Sequence, residues 1–382
     1  MAGKPEIRGQ RYTLCLVADE GAVERFADSL RFLQIGLIDE PVDVILVLPD
    51  TSRPERVVAG ATLLVPYRVR RWPFDVWTAH RTADAIRRLV AGLPARQPMV
   101  VHSASIAAAP LAARLAEELG AAFFANVASV AFPSDSTVMA ALDRATVLIL
   151  PASQMRDAIQ RTRLGSKSVE VIRPGVATEK SAGAFGDAGQ VPTVVFAGSL
   201  APDGGADVFL RGFAKAVQAR PDVLGLVAGK GSAESDLRKL AGSLKIRESV
   251  TFTGRLEHLR TAMMASDIFC APRRTTMFRE EPIYAMAGGL AMIVADGLFC
   301  DGLADQQNSA FIQDGNEAQL AEEIGRLLDA PEHARRLGAA ALATAETQYG
   351  VSRMVEEYAR AYRQHVYRER TLPMAEIPSP RR

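Results

Sequence analysis

The stretch TVVFAGSLAPDGGADVFLRGFAKAVQA, residues 193–219, sets the fold. A short apolar run ends at Gly198, a turn rich in small residues follows, and an amphipathic helical pattern begins at Ala206. Strand, glycine turn and helix in that order form the unit of a parallel sheet wrapped by helices. The unit repeats down the chain through strand VLGLVAG, helix ESDLRKLAGSL, strand SVTFTG, helix HLRTAMMAS, strand IFCAP, strand MIVADG and helix EAQLAEEIGRLL. Upstream the same alternation reads as strand Tyr12–Val17, helix AVERFADSLRFLQIGL, strand Val42–Leu48, strand PMVVHS, helix APLAARLAEELG, strand ATVLILP, helix SQMRDAIQRTRL and strand VEVIRPG.

The expected architecture is therefore α/β, with two doubly wound parallel-sheet domains facing a central cleft. Residues 1–175 make the first domain, and residues 176–190, VATEKSAGAFGDAGQ, form a small, polar linker. Residues 191–348 make the second domain, 349–370 a last helix directed back toward the first, and 371–382 a disordered tail. At 382 residues two domains are the default, and 48% hydrophobic with 23% charged residues excludes a disordered chain. Open parallel sheets bind ligands beyond the carboxyl ends of their strands, so the cleft is the place for a site.

Charge excludes some partners. Lysine and arginine number 45 against 44 acidic residues, which leaves no global field to recruit nucleic acid or anionic lipid, and no nucleic-acid module is present. The three cysteines, Cys15, Cys270 and Cys300, have neither metal-ligand spacing nor the count of a disulfide framework, so no cofactor or metal is expected. The start of the chain lacks the apolar core of a signal peptide and no run is long enough to span a bilayer, which points to the cytoplasm. One basic and aromatic stretch, YRVRRWPFDVW at residues 67–77, offers a peripheral contact with the inner face of a membrane; a solvated, ion-paired surface is the alternative.

Five segments in order, VEVIRPGV, VVFAGSLAPDGGADVFLRGFAKA, LGLVAGKGSAESDLRKLAGSL, VTFTGRLEHLRTAMMASDIFCAP and YAMAGGLAMIVA, resemble the donor-binding half of the retaining, family 4 glycosyltransferases of the GT-B fold. The order of segments matches from about residue 168 to residue 365. In the first domain EGAVERFADSL is similar to the family's acceptor-side glycine loop, which makes Gly21 and Glu24 candidates, and VVHSAS to the strand end that follows. The resemblance implies two Rossmann-like domains, a nucleotide-sugar donor held mainly by the second and an acceptor, of unknown kind, bound by the first.

Carried residue by residue, the resemblance finds several positions changed. A breaking glycosidic bond puts negative charge on the departing diphosphate, which positive charge or aligned backbone amides must meet. The family's arginine and lysine fall on Ser199 and Gly204; losing two charge-assisted hydrogen bonds weakens binding by about 3–6 kcal/mol. The backbone at Gly198, Gly204, Gly205, Gly229 and Gly231 can still approach a phosphate, and Lys230, Arg273 and Arg274 are possible replacement cations or simply solvated ones. In TTMFREEPIYAMAGG, residues 275–289, the family's two glutamates fall on Thr276 and Tyr284.

Glu280 and Glu281 precede Pro282 and are expected to stabilise the positive end of a helix rather than replace those acids. His102 matches the first histidine of a family motif whose second falls on Ala104, and a further family histidine aligns with Ala128. His102 is either a site residue or a half-buried histidine at a strand end. Asn126, Ser129 and Ser134 are candidate hydrogen-bonding partners of an acceptor. Two functions stay open: a glycosyltransferase with a reorganised donor site, or a catalytically inactive GT-B scaffold that binds a protein partner or ligand.

Overall fold

The computed structural model describes residues 11–60, 62–68, 75–92, 97–132, 136–178, 183–186, 189–254 and 259–368. The first half contains β1 (Tyr12–Val17), α1 (Glu20–Arg25), α2 (Ala27–Gly36), β2 (Val42–Pro49), β3 (Leu63–Tyr67), α3 (Asp75–Val90), β4 (Met99–Ser103) and α4 (Ala109–Leu119). It continues with β5 (Ala122–Asn126), α5 (Ser136–Asp143), β6 (Val147–Leu150), α6 (Met155–Gln160) and β7 (Val169–Val171). The second half contains β8 (Thr193–Ala197), α7 (Ala206–Ala219), β9 (Leu224–Ala228), α8 (Glu234–Ser243), β10 (Val250–Gly254), α9 (Leu259–Met264) and β11 (Ile268–Ala271). It closes with α10 (Glu281–Ala287), β12 (Ala291–Ala295), β13 (Ala310–Ile312), α11 (Glu317–Asp329), α12 (Pro331–Gln348) and α13 (Val351–Arg368).

Among the described residues the strands form two wholly parallel sheets, ordered β3-β2-β1-β4-β5-β6-β7 and β10-β9-β8-β11-β12-β13. The fold is thus the two-domain α/β architecture expected. Strands such as VDVILVLP are buried at every position but one, because helices cover both faces of a parallel sheet. Each order reverses once, between β1 and β4 in the first sheet and between β8 and β11 in the second. A crevice opens outside the carboxyl ends at such a switch point, and these two crevices form the facing walls of the cleft.

Several elements differ from expectation. The helix expected as one piece over residues 22–37 breaks at Phe26, whose φ of −118° and ψ of 25° leave the helical region. A 3.6-residue pattern runs through the break, so periodicity alone could not place it. The helix expected over residues 153–164 closes early, at Gln160. β3, α5, β13 and α12 have no counterpart among the elements expected from the sequence.

The halves are tied closely. One apolar cluster runs from Val101 and Leu150 in the first sheet through Phe278 and Ile283 to Val195 and Val294 in the second. Asp301 is buried and accepts from the Ser153 amide at 2.9 Å and from Arg173 Nε at 2.6 Å. α13 crosses back to pack on α2 and β4, and Val176 in the expected linker donates to the Tyr349 carbonyl at 2.7 Å. Ala184 and Phe185 of that linker bond to the Gly289 carbonyl and to Asp267 of the second half.

Candidate functional site

The second-sheet wall of the cleft is backbone. Gly198 follows β8 at φ +148°, Gly229 follows β9 at φ +154°, and Gly205 opens α7 at φ +94°. A Cβ on Gly229 would stand 1.9 Å from the Gly198 carbonyl oxygen, and one on Gly231 would stand 2.2 Å from the Leu200 carbonyl carbon. The two turns therefore lie directly on one another, joined by the Leu200 amide to the Lys230 carbonyl at 3.0 Å. Only glycine allows this contact. The amide of Gly204, expected to face a phosphate, is instead used inside its turn by the Ala201 carbonyl at 2.9 Å.

A cation reaches this wall from elsewhere in the chain. Arg279, inside the stretch TTMFREEPIYAMAGG, lays its guanidinium against Gly198, where an added Cβ would meet Nη2 at 1.7 Å. Nη2 donates to the Ala197 carbonyl at 2.5 Å, Nη1 points to the Gly204 carbonyl at 3.5 Å, and the group lies 5.7 Å from the centre of the Phe196 ring. Nε has no hydrogen-bond partner among the described residues and lies 3.7 Å from Glu281. The side chain is 9% exposed. The charge absent from Ser199 and Gly204 is thus present in the same place, supplied about eighty residues later in the sequence.

The sequence candidates for that role lie around this cation. Ser199 and Lys230 are exposed beside the turns. Arg273 packs on Gly205 and reaches Asp207 at 3.3 Å. Arg274 turns away, with Nε donating to the Asp296 carbonyl and its amide to Asp314. Thr276 is exposed, and its carbonyl takes the Val130 amide at 2.8 Å while Phe278 donates to the Ala128 carbonyl at 2.7 Å. The segment carrying Thr276 is therefore paired antiparallel with residues 128–130 across the domains, through an isolated bridge at Ser129 and Met277. Tyr284 donates to Glu280 at 2.9 Å and lies 3.4 Å from Asp28, so its hydroxyl is engaged between the domains.

The first-sheet wall consists of side chains. Its glycine loop is filled by a carboxylate: Asp19 caps α1 through the Gly21 amide at 2.9 Å and also takes the Ser105 hydroxyl, while Glu24 is exposed on α1. His102 is 2% exposed at the end of β4, so of its two readings the half-buried one is too mild. Burial draws its imidazole down to about 4 and keeps it neutral. Its Nδ1 lies 2.6 Å from the Tyr362 hydroxyl, and the Asn126 side chain beside it opposes part of the effect of burial.

His102, Asn126, Phe26, Phe278, Tyr358 and Glu280 are among the residues around a cavity of 570 Å³, counting its opening to the cleft. Glu280 corrects a second expectation. Its side chain makes no capping bond on α10; one oxygen accepts from Ser29 Oγ on α2 at 2.7 Å and the other from Tyr284. Burial pushes its carboxyl up to about 7, the two hydrogen bonds pull it down, and the nearby charges of Glu281 and Asp28 raise it further. Glu281 remains in the first turn of α10, as expected.

Ser134 and residues 69–74 of the basic and aromatic stretch lie outside the described residues. Its Arg68 is exposed and pairs with Asp50 at 3.5 Å. Among the described residues no helix is long and apolar enough to cross a membrane, and no group of three or more His, Cys, Asp or Glu is placed to hold a metal ion. The three cysteines are buried and unbridged.

Comparison with known proteins accords with this geometry. Residues 191–330 match the family described as glycosyl transferases group 1. Over 366 residues the chain is 25% identical to the GDP-mannose-dependent monoacylated alpha-(1-6)-phosphatidylinositol monomannoside mannosyltransferase of Corynebacterium glutamicum, covering 87% of this chain and 93% of that one. It is 26% identical over 234 residues to a D-inositol 3-phosphate glycosyltransferase of Streptomyces scabiei, 56% of this chain and 52% of that protein. Among solved structures it is similar to Anabaena HepE in complex with UDP and glucose, with a TM-score of 0.74 at 14% identity, covering 92% of this chain and 99% of the other. Sucrose-phosphate synthase from Thermosynechococcus elongatus gives a TM-score of 0.73 at 16% identity, over 93% and 99% of the two chains.

Proposed function

We propose that the chain is a group 1 glycosyltransferase that transfers a sugar from a nucleotide-sugar donor, with Arg279 facing the donor's diphosphate. The observation that carries this reading is the guanidinium fixed on Gly198 and beside Gly204, at the carboxyl edge of the second sheet. As the glycosidic bond breaks, charge grows on the leaving diphosphate, and a preplaced cation with little water around it stabilises that charge more than a solvated one would. Bonding to the Ala197 carbonyl holds the guanidinium in position before substrate arrives. α7 adds the positive end of a fourteen-residue helix at Gly205.

The inactive-scaffold reading rested on missing charge, and Arg279 removes its main support. The printed names of the relatives suggest the first ligands to try: GDP-mannose as donor, and an inositol-based acceptor. Titration of the purified chain with GDP, UDP, GDP-mannose and UDP-glucose by calorimetry tests the reading. Binding of at least one at micromolar concentration is expected; no heat with any of the four contradicts it.

A further inference from the structure

Two acids from opposite domains meet one hydroxyl at the seam of the cleft. Tyr284 Oη, on α10, lies 2.9 Å from Glu280 Oε2 and 3.4 Å from Asp28 Oδ2 on α2 of the first domain. A phenol carries one hydrogen, so it donates to one of the two carboxylates at a time. The other Glu280 oxygen accepts from Ser29 Oγ, also on α2, at 2.7 Å. Glu280 is 7% exposed, and no cation is among the groups that act on it. Its neighbour in sequence, Arg279, points instead to the second sheet and donates to the Ala197 carbonyl.

A single further proton changes what this cluster does. With Glu280 ionised, Tyr284 donates to it, Asp28 receives nothing from Tyr284, and two negative charges face each other across the seam. With Glu280 protonated, its own hydroxyl donates to Tyr284, the Tyr284 hydrogen turns to Asp28, and Ser29 still donates to the other Glu280 oxygen. The cluster then makes two hydrogen bonds to α2 in place of one, the new one to a charged acceptor, and buries no unpaired charge. Close by, the Val130 amide to the Thr276 carbonyl and the Phe278 amide to the Ala128 carbonyl also join the domains, but these are backbone groups and do not titrate. Asp28 is exposed, so water at the rim can supply or take up the proton.

We propose that Glu280, Tyr284 and Asp28 form a proton-operated latch between the two domains, which holds the cleft closed while the extra proton is bound and frees it to open when that proton leaves. The proton passes between Glu280 and water, and only hydrogen bonds are exchanged. The latch needs no ligand, so it stands or falls apart from the donor reading.

The titratable groups facing Glu280 are Asp28 on α2, Glu281 and Tyr284 on α10 and Tyr358 on α13, with the neutral His102 of β4 on the wall of the same cavity. Burial first, then the charges of Glu281 and Asp28, hold the Glu280 carboxyl up at about 7 from an ordinary 4.5, against the pull of Ser29 and Tyr284. A carboxyl raised in the closed form and ordinary in the open one favours closure fully below about 4.5, progressively less as pH rises, and not at all above about 7. Between about pH 5.5 and about pH 8.5 the closed-to-open ratio should therefore fall about thirtyfold.

The test uses the full chain without ligand. The three native cysteines are buried and unbridged, so Thr51→Cys and Ser232→Cys, at exposed positions beyond the carboxyl ends of β2 and β9, can carry a pair of spin labels across the cleft. In that background the population at the short distance should give way to a longer one as pH rises from about 5.5 to about 8.5. Glu280→Gln is neutral throughout and can donate to Tyr284 as the protonated acid does, so it should keep the short distance at both ends of the range. Asp28→Asn, an exposed substitution that spares the core, removes the facing charge and should shrink the pH response. Tyr284→Phe removes the shared hydroxyl and should lose closed population even at low pH. A distance that stays constant or shortens as pH rises overturns the latch. So does an undiminished pH response in Glu280→Gln, or in Asp28→Asn should the buried substitution fail to fold.

Discussion

At the edge of the second sheet the cleft wall is main chain, with Gly229 and Gly231 packed so closely on the backbone of Gly198 and Leu200 that no side chain fits, and one arginine laid across Gly198. At the edge of the first sheet the wall is side chains, with His102, Asn126, Tyr358 and Glu280 around a small cavity. A main-chain wall suits a ligand that must come close and is met by charge and amides, as a diphosphate is. A side-chain wall suits a ligand recognised by shape and a few hydrogen bonds. The asymmetry divides the work: the second half would hold the donor by charge, and the first would select the acceptor by size.

Substitutions on each wall can break this contrast. Gly229→Ala should be the most damaging, destabilising the chain by roughly 4 kcal/mol, because an unfavourable backbone conformation combines with a contact on the Gly198 carbonyl that only backbone movement relieves. Thermal or urea unfolding reads the effect, and a variant as stable as wild type would mean that the turns are not in contact. On the other wall, His102→Ala takes away the partner of the buried Tyr362 hydroxyl and should cost about 1–3 kcal/mol in the same unfolding measurement. Nucleotide binding should survive it within about threefold, since no donor contact is assigned to that wall. A large loss of nucleotide affinity in His102→Ala would show that the walls do not divide the ligands.

The two walls also differed in how far the sequence revealed them. Glycine turns and strand runs are local signals, so β8, its turn and α7, with bounds matching the expected helix at Ala206–Ala219, were legible from residues 193–219 alone. The break at Phe26 was not, because the apolar pattern continues through it.

Arg279 carried no role in the sequence reading, and Glu280 was read with Glu281 as an acid at a helix start. Their direction depends on a non-helical turn before α10 and on contacts far along the chain, Gly198 for one and Ser29 for the other. The available signal was Arg279 and Glu280 set between an apolar Phe278 and a helix-starting Pro282, an awkward place for two solvated charges. His102 was legible as a candidate, whereas its full burial and its Tyr362 partner on α13 were not.

The central claim is that Arg279 supplies the positive charge that Ser199 and Gly204 lack. Calorimetric titration of wild type and Arg279→Met with the same nucleoside diphosphate, each variant first shown to be folded, measures it most directly. Loss of one charge-assisted interaction should weaken binding about tenfold to a hundredfold, with the weakening reduced at high salt, where charge counts for less. Equal affinity in the two proteins would contradict the account.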